Sequence, residues 1–344
     1  MKTFWKVFAV SLVFFTLVTL LGSYSYMKTK GVEEDFDFTL IGGAVGNEDI
    51  AYEEEEAKKD IEEIEDNTKT PREAESFNSL KEAFYNSKRI NAVLLGMEDV
   101  RTDTIIFASF DPDTKEVNLF SVPRDTYIHR KGYDLAEQRK INAIYESHGI
   151  EGVKKAVSYL FQGAPIHFYV KIDYEGVKKI VDSIGGVEVV VPFDMKYDDP
   201  TADPPLHIDL KAGRQLLDGE KALQFIRYRK GNTKKQGYID GDLGRIKAQQ
   251  EFIKSFINKA ISYRLPVVIK NGYPYVETDI GLFEALYYGG KALGIKMEDI
   301  KFETLPGRAE FRRYGGTLLS YYIANLKETR RILEEIYNVK PPKN

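Results

Sequence analysis

Five short stretches of this chain offer cations, carboxylates or an amide at intervals that could bring them to a single anion. RTDT (101–104) contains Asp103, SVPRDT (121–126) presents Arg124 and Asp125 just after Pro123, and KIN (140–142) offers Lys140 and Asn142. FIRYRK (225–230) gathers Arg227, Arg229 and Lys230 around Tyr228, and DLGRIKAQQ (242–250) spaces Arg245 and Gln249 four apart, on one face if that stretch is a helix. Cations among aromatics can grip nucleic acid, pair with acidic neighbours or clamp a phosphate. Several guanidiniums can spread over the oxygens of a pyrophosphate while a carboxylate holds a magnesium ion that bridges the same oxygens. Such a set stabilises the charge that builds on a transferring phosphoryl group and its leaving group.

Taken singly, the same residues have plainer uses. Asp103 between two threonines suits a turn or a cap. Arg227 and Arg229 suit surface ion pairs at a helix end, where cations complement the dipole. Tyr228 suits packing or cation-π support. Asp125 and Asp242 can orient neighbouring arginines, and either can serve as the base for an attacking hydroxyl. Other chemistries lack their residues: there is no cysteine, the four histidines have no metal-ligand spacing, and neither a nucleophile elbow, a Walker loop nor a dinucleotide fingerprint occurs.

The elements that must position these residues read as an α/β domain. Short apolar runs at 90–96, 104–111 and 116–123 predict neighbouring strands, the last two a hairpin over a Pro-Asp turn. Helical periodicity follows in 141–149 and 152–162, then strand 167–173, helix 174–185 and strand 186–192. Gly185-Gly186 reads as a helix C-cap turn. Further helices are expected at 218–228, with Asp218 as N-cap, at 242–262 and at 318–337, and strands near 266–270 and 300–305. The fold class expected is α/β: a mixed central β-sheet covered by helices on both faces, preceded by one transmembrane helix.

Charge divides the chain. Residues 1–30 carry +4, residues 31–87 carry −13 and the body from Lys88 onward carries +5, for a total of −4. A mildly basic body suits an anionic ligand and is too weakly basic for a nucleic-acid domain. Val7–Met27 is an uncharged run of 21 residues, long enough to span a bilayer. An uncleaved anchor with a cytoplasmic N-terminus is the expectation; a cleaved signal peptide, with Ser23-Tyr24-Ser25 as its small-x-small site, is the rival. The domains expected are the tail and anchor at 1–30, an acidic, partly helical tether at 31–87, a catalytic domain at 88–340 and a tail at 341–344. The tether reads as a solvated spacer, with a partner-binding acidic helix as the alternative.

In this order, RTDT, SVPRDT, KINAIY, the Gly185-Gly186-Val187 turn, LDGEKALQFIRYRK and DLGRIKAQQ resemble the signature blocks of the LytR-CpsA-Psr family. The resemblance covers about 88–340, including TLPGR (304–308), and an N-terminal membrane anchor is usual in that family. It implies an extracytoplasmic, membrane-anchored phosphotransferase that moves a glycopolymer from a polyprenyl-pyrophosphate carrier to peptidoglycan or another envelope acceptor, with polyprenyl phosphate released and no nucleic acid involved. Carried onto this chain, Asp103 ligates Mg2+ (or Mn2+), and Arg124, Arg227, Arg229, Arg245 and Gln249 bind the pyrophosphate with help from Lys140. Asp103, Arg124, Arg227 and Arg229 are then the catalytic set. The chain departs from the family's pattern twice. GMEDVRTD (96–103) is short, leaving Glu98 or Asp99 as second metal ligand, and Ala248 stands where the family commonly has another arginine. A lipid-linked pyrophosphatase and a non-catalytic polyprenyl-phosphate sensor are the alternatives.

Overall fold

The computed structural model of the protein describes residues 76–98, 100–201, 205–233, 237–239, 242–261 and 265–341. The apolar run at 7–27, the tether up to residue 75, Asp99 and the last three residues lie outside them, as does the Asp242 side chain. Among the described residues no helix is long and apolar enough to cross a membrane.

The chain enters through helix α1 (Leu80–Asn86), capped by Ser79, whose side chain accepts from the Glu82 N–H. Strands β1 (Ile90–Glu98), β2 (Arg101–Phe110) and β3 (Val117–Ser121) follow as an antiparallel meander. Helix α2 (Ile144–Leu160) is broken at Gly149, at φ 58°, where the sequence shows two separate periodic stretches. Strand β4 (Phe168–Ile172) lies parallel to β1 and leads into α3 (Tyr174–Ser183), capped by Asp173. Next come two ribbons, β5 (Val187–Val191) with β8 (Gly213–Leu217) and β6 (Met195–Asp199) with β7 (Leu206–Leu210). Helices α4 (Gly219–Arg227), α5 (Asp242–Ala260), α6 (Leu265–Gly272) and α7 (Leu282–Ala292) complete the middle of the chain. Strands β9 (Glu277–Thr278) and β10 (Ile300–Thr304), the hairpin β11 (Gly307–Tyr314) with β12 (Thr317–Ala324), and α8 (Leu326–Ile336) finish it.

Six strands form one mixed sheet in the order β10-β3-β2-β1-β4-β9. Alternation along β1 sorts its two faces. Val93, Leu95 and Met97 join Phe107 and Phe120 in a dense core under α1, α2 and α8, with Phe107 stacked on Phe161 at 4.1 Å. Leu94, on the other side, looks with Ile106, Leu119, Val170 and Ile172 into a cavity. Helices α3, α4 and α5 wall that cavity, and a second core of Val187, Val189, Ile208, Leu217 and Phe225 knits the ribbons to α4 and α5 as its roof. The sheet is mixed, and helices cover both faces, as the sequence pattern leads one to expect.

Two expected elements are corrected. Residues 318–337 are a strand followed by a helix, Thr317–Ala324 and Leu326–Ile336, because Asn325 stops the strand and caps the helix by accepting from the Glu328 N–H. Residues 266–270 are helical within Leu265–Gly272 despite their β-branched run; packing against α3 and α7 overrides local propensity there. Gly185 and Gly186 do form the helix-terminating turn, at φ 74° and 81°, and a Cβ on Gly186 would meet the Leu217 carbonyl oxygen at 2.7 Å. Within the stretch read as tether, α1 buries Leu80 and Ala83 in the main core.

Candidate active site

The charged end of the cavity is built where β1 hands over to β2. Gly96 pairs with Thr104, but Met97 pairs with Thr102, so Asp103 is the extra residue of a β-bulge. A bulge re-aims its side chain, and Asp103 lines the cavity mouth beside Glu98 at the end of β1. Gly96 permits the close approach, since a Cβ there would lie 3.0 Å from the Thr104 Cβ.

Cations reach this point from three other segments. Pro123 ends the β3 run and a turn closes behind it, with the Thr126 N–H donating to the Pro123 carbonyl at 2.9 Å. That turn aims Arg124, whose Nη1 donates to Asp103 Oδ1 at 2.8 Å. Helix α4 starts at its Asp218 cap and ends on Arg227, whose Nη2 donates to Glu98 Oε1 at 3.1 Å. Arg245 rises from the second turn of α5 into the lining and is buried. Gln249, one turn on, also lines the cavity and ties α5 to α4 by donating to the Ile226 carbonyl at 3.0 Å. Arg229 and Lys230 stand exposed at the rim.

Lys140 and Asp125 are turned toward each other. Lys140 Nζ lies 3.1 Å from Asp125 and 3.3 Å from Glu137, while the Asp125 carbonyl accepts from Tyr322 of β12. They brace the loop that carries Arg124. Tyr228 is fully buried in the roof core beside Phe193 and Tyr238, a packing residue. One site residue escaped the sequence reading: Tyr174, the first residue of α3, lies 4.4 Å beneath the Arg227 guanidinium and beside Glu98. Its only sequence signal is its place just beyond the C-terminal end of a parallel strand, where α/β ligand sites gather.

The electrostatics of the mouth follow from burial and proximity. Desolvation, then the neighbouring Asp103, pushes the Glu98 carboxyl above its ordinary range. Burial acts on Asp103 in the same sense but is outweighed by the hydrogen bond with Glu98 and by the guanidiniums of Arg124 and Arg245, which hold it below. Burial and the adjacent Glu98 carboxylate push the Tyr174 hydroxyl far up, so it stays a neutral donor. Two neighbouring carboxylates, one held ionised and one resisting ionisation, fit a divalent cation that takes one or two protein ligands and completes its shell with water and phosphate oxygens. No third Asp, Glu or His joins them among the described residues.

Behind the charged mouth the cavity is apolar. It encloses about 1180 Å³, walled by the sheet on one side and by Val177, Ile180, Leu223, Phe252 and Phe256 on the other. The arrangement can hold an amphiphile: an anionic head among guanidiniums and a hydrocarbon body under the roof.

Known proteins share this architecture. The chain is 28% identical over 270 residues to the polyisoprenyl-teichoic acid–peptidoglycan teichoic acid transferase TagV of Bacillus subtilis (strain 168), covering 74% of this chain and 66% of that protein. It is 30% identical to a TagU of Oceanobacillus iheyensis over 54% of this chain and 55% of the relative, and 28% identical to the regulatory protein MsrR of Staphylococcus aureus over 64% and 65%. The matches thus span between half and two thirds of these relatives' lengths. The crystal structure of B. subtilis TagV superposes with a TM-score of 0.60 at 26% identity, covering 74% of this chain and 100% of that one. With the sequence model of the LytR_cpsA_psr family matching residues 50–337, a span that contains the bulge, the arginines and the hollow beneath them, the chain belongs to that family.

Proposed function

We propose that this protein is a membrane-anchored, extracytoplasmic transferase that moves a glycopolymer from a polyprenyl-pyrophosphate carrier to a cell-wall acceptor such as peptidoglycan. The observation that carries the reading is the amphiphilic cavity: Arg227, Arg229, Arg245 and Gln249 line a mouth that opens onto an apolar hollow of about 1180 Å³. Relatives named as teichoic acid transferases support the same reaction class.

In this reading the isoprenoid lies between the sheet and α3–α5, and its diphosphate rests among Arg124, Arg227, Arg229 and Arg245. An acceptor hydroxyl attacks the phosphorus joined to the donor sugar and loses its proton to a carboxylate of the site. The bond from that phosphorus to the bridging oxygen breaks, and polyprenyl phosphate leaves with its new charge held by the guanidiniums. Glu98 and Asp103 would hold Mg2+ or Mn2+, which when bound adds charge stabilisation on the phosphate oxygens. Lys140 and Asp125 keep the Arg124 loop in place.

A radiolabelled lipid-linked donor incubated with peptidoglycan tests the proposal. Label in polymer is the expected outcome. Free sugar phosphate would identify a pyrophosphatase instead, and an intact donor a sensor.

A further inference from the structure

Helices α6 and α7 carry an outward face that the proposed reaction does not use. On α7, Phe283, Tyr287 and Lys291 follow one another at intervals of four, so they fall on one side of the helix. All three are exposed, Phe283 at 87%. On α6, Val267 and Lys270 are exposed one turn apart. The inward faces are tightly joined: a Cβ on Gly289 of α7 would lie 2.3 Å from Ile269 of α6, and one on Gly272 would lie 3.3 Å from Ile180 of α3. Ile180 also lines the cavity, so the helix pair buttresses the wall of the apolar hollow. The end of α7 is pinned by Lys115, which donates to the Leu293 carbonyl at 2.6 Å from the turn between β2 and β3. That turn and the Asp103 bulge lie at opposite ends of β2.

The polar groups around this face fit a bilayer surface. A lysine closes each helix, Lys270 in the last turn of α6 and Lys291 in that of α7, where its Nζ lies 5.6 Å from the centre of the Tyr287 ring. Between the helices, Glu277 and Asp279 are turned to Lys171 and Lys154, which leaves Glu284 as the one acid within α6 and α7. Apolar side chains rimmed by tyrosine and lysine match the layers of an anionic membrane surface: acyl chains, head groups, lipid phosphates. If the apolar run at 7–27 is an anchor, residues 28–75 separate it from the first described residue. Even a coil of that length reaches roughly 40 Å, so it keeps the domain near lipid without choosing which side faces down. We propose that the outward face of α6 and α7 makes that choice by resting on an anionic bilayer, with Val267, Phe283 and Tyr287 at the acyl-chain boundary and Lys270 and Lys291 on lipid phosphates. The inference rests on the membrane-anchored reading and adds an orientation to it: the helices behind the apolar hollow lie on the lipid, and the arginine mouth, to which neither helix contributes, stands off it.

The chain has no cysteine, so a single introduced thiol can carry a fluorescent probe on the full chain, reconstituted into vesicles of phosphatidylcholine and phosphatidylglycerol. Phe283→Cys and Val267→Cys place the probe on the proposed face; Tyr85→Cys on α1 and Phe311→Cys on β11 place it at exposed positions elsewhere. Spin-labelled lipids in the same bilayer should quench the probe at 267 and 283 severalfold more than at 85 and 311. In the Val267→Cys chain, adding Phe283→Asp and Tyr287→Asp should remove most of that excess. Equal quenching at all four positions, or an excess at 267 that survives both aspartates, overturns the docking and leaves the anchor standing. A blue shift of the probe at 283 that grows with protein concentration in lipid-free micelles gives the face to a second copy of the chain and overturns the docking too. A chain that does not float with the vesicles overturns the anchored reading and the docking together.

Discussion

Arg227 is held by two groups that would both persist without it, the Glu98 carboxylate and the Tyr174 ring. In the proposed reaction, truncating it removes a charge partner of the leaving phosphate and leaves the fold's core untouched, so Arg227→Ala should lower transfer about 100-fold, measured as label reaching peptidoglycan. Glu98 offers a second test, through pH. Its folded-state pKa is raised, chiefly by desolvation and then by Asp103, so its ionised form costs stability at neutral pH and its protonation relieves that cost. In EDTA at pH 7, Glu98→Gln should therefore melt above wild type. The difference should shrink as pH falls through the raised value of Glu98 and vanish below its ordinary 4.5. Asp103 has the opposite sign: its pKa is lowered, and the stability it contributes is lost as pH falls through that lowered value. At this scale the ordered motifs mark Arg124, Arg227 and Arg245, which the fold brings to the mouth, but they mark Lys140 equally, and it turns to Asp125 and Glu137. The sequence is a poor guide to Tyr174, one of 22 tyrosines, whose role comes from what stacks above it.

At the scale of elements, the arginines are placed by contacts far from any phosphate. The first residue of α4, Gly219, sits so close to α3 that a Cβ would lie 2.3 Å from the Lys178 carbonyl oxygen. Gly219→Ala must push the two helices apart, at a cost of roughly 1–3 kcal/mol, read as a shifted urea midpoint, and with α4 it moves Arg227 at the other end. Loss of the adjacent cap is milder: Asp218→Ala should cost about 1 kcal/mol, because Asp218 accepts from the Lys221 N–H. That cap, the Pro123 turn and the meander of β1 to β3 could all be read in advance, since each is specified within a few neighbouring residues. The strand-to-helix change at Asn325 was also marked, by Glu328 three residues on, but the Leu and Tyr run before it fits both periodicities. The helix at Leu265–Gly272 has Pro266 in its first turn as its cue, against a Val-Val-Ile run whose preference is settled only by its neighbours. The bulge at Asp103 had no local signature at all, because a register shift belongs to two strands and not to one.

The whole molecule is asymmetric about its sheet. One face closes on a packed core of aromatic and aliphatic side chains, and on the other a smaller cluster around Ile106, Leu119, Ile295 and Ile300 gives way to the cavity beneath the helices. Val177 and Ile180 of α3 form part of the far wall. Val177→Trp should fill part of that space, weakening the binding of a long isoprenoid phosphate more than that of inorganic pyrophosphate, which calorimetry on the two ligands would reveal. Charge sorts the chain at this scale as well: a body of +5 from Lys88 onward follows a segment of −13, so the part that carries the cavity is of the sign that attracts an anionic head group.

The hollow has a consequence for how the protein can be handled. Under the proposed function, an isoprenoid chain lying in the cavity of about 1180 Å³ adds dispersion contacts with the side chains that line it. The protein's melting temperature is then a gauge of cargo: a ligand at a hundred times its dissociation constant adds about 2.7 kcal/mol. Protein loaded with a long isoprenoid phosphate should melt well above lipid-free protein.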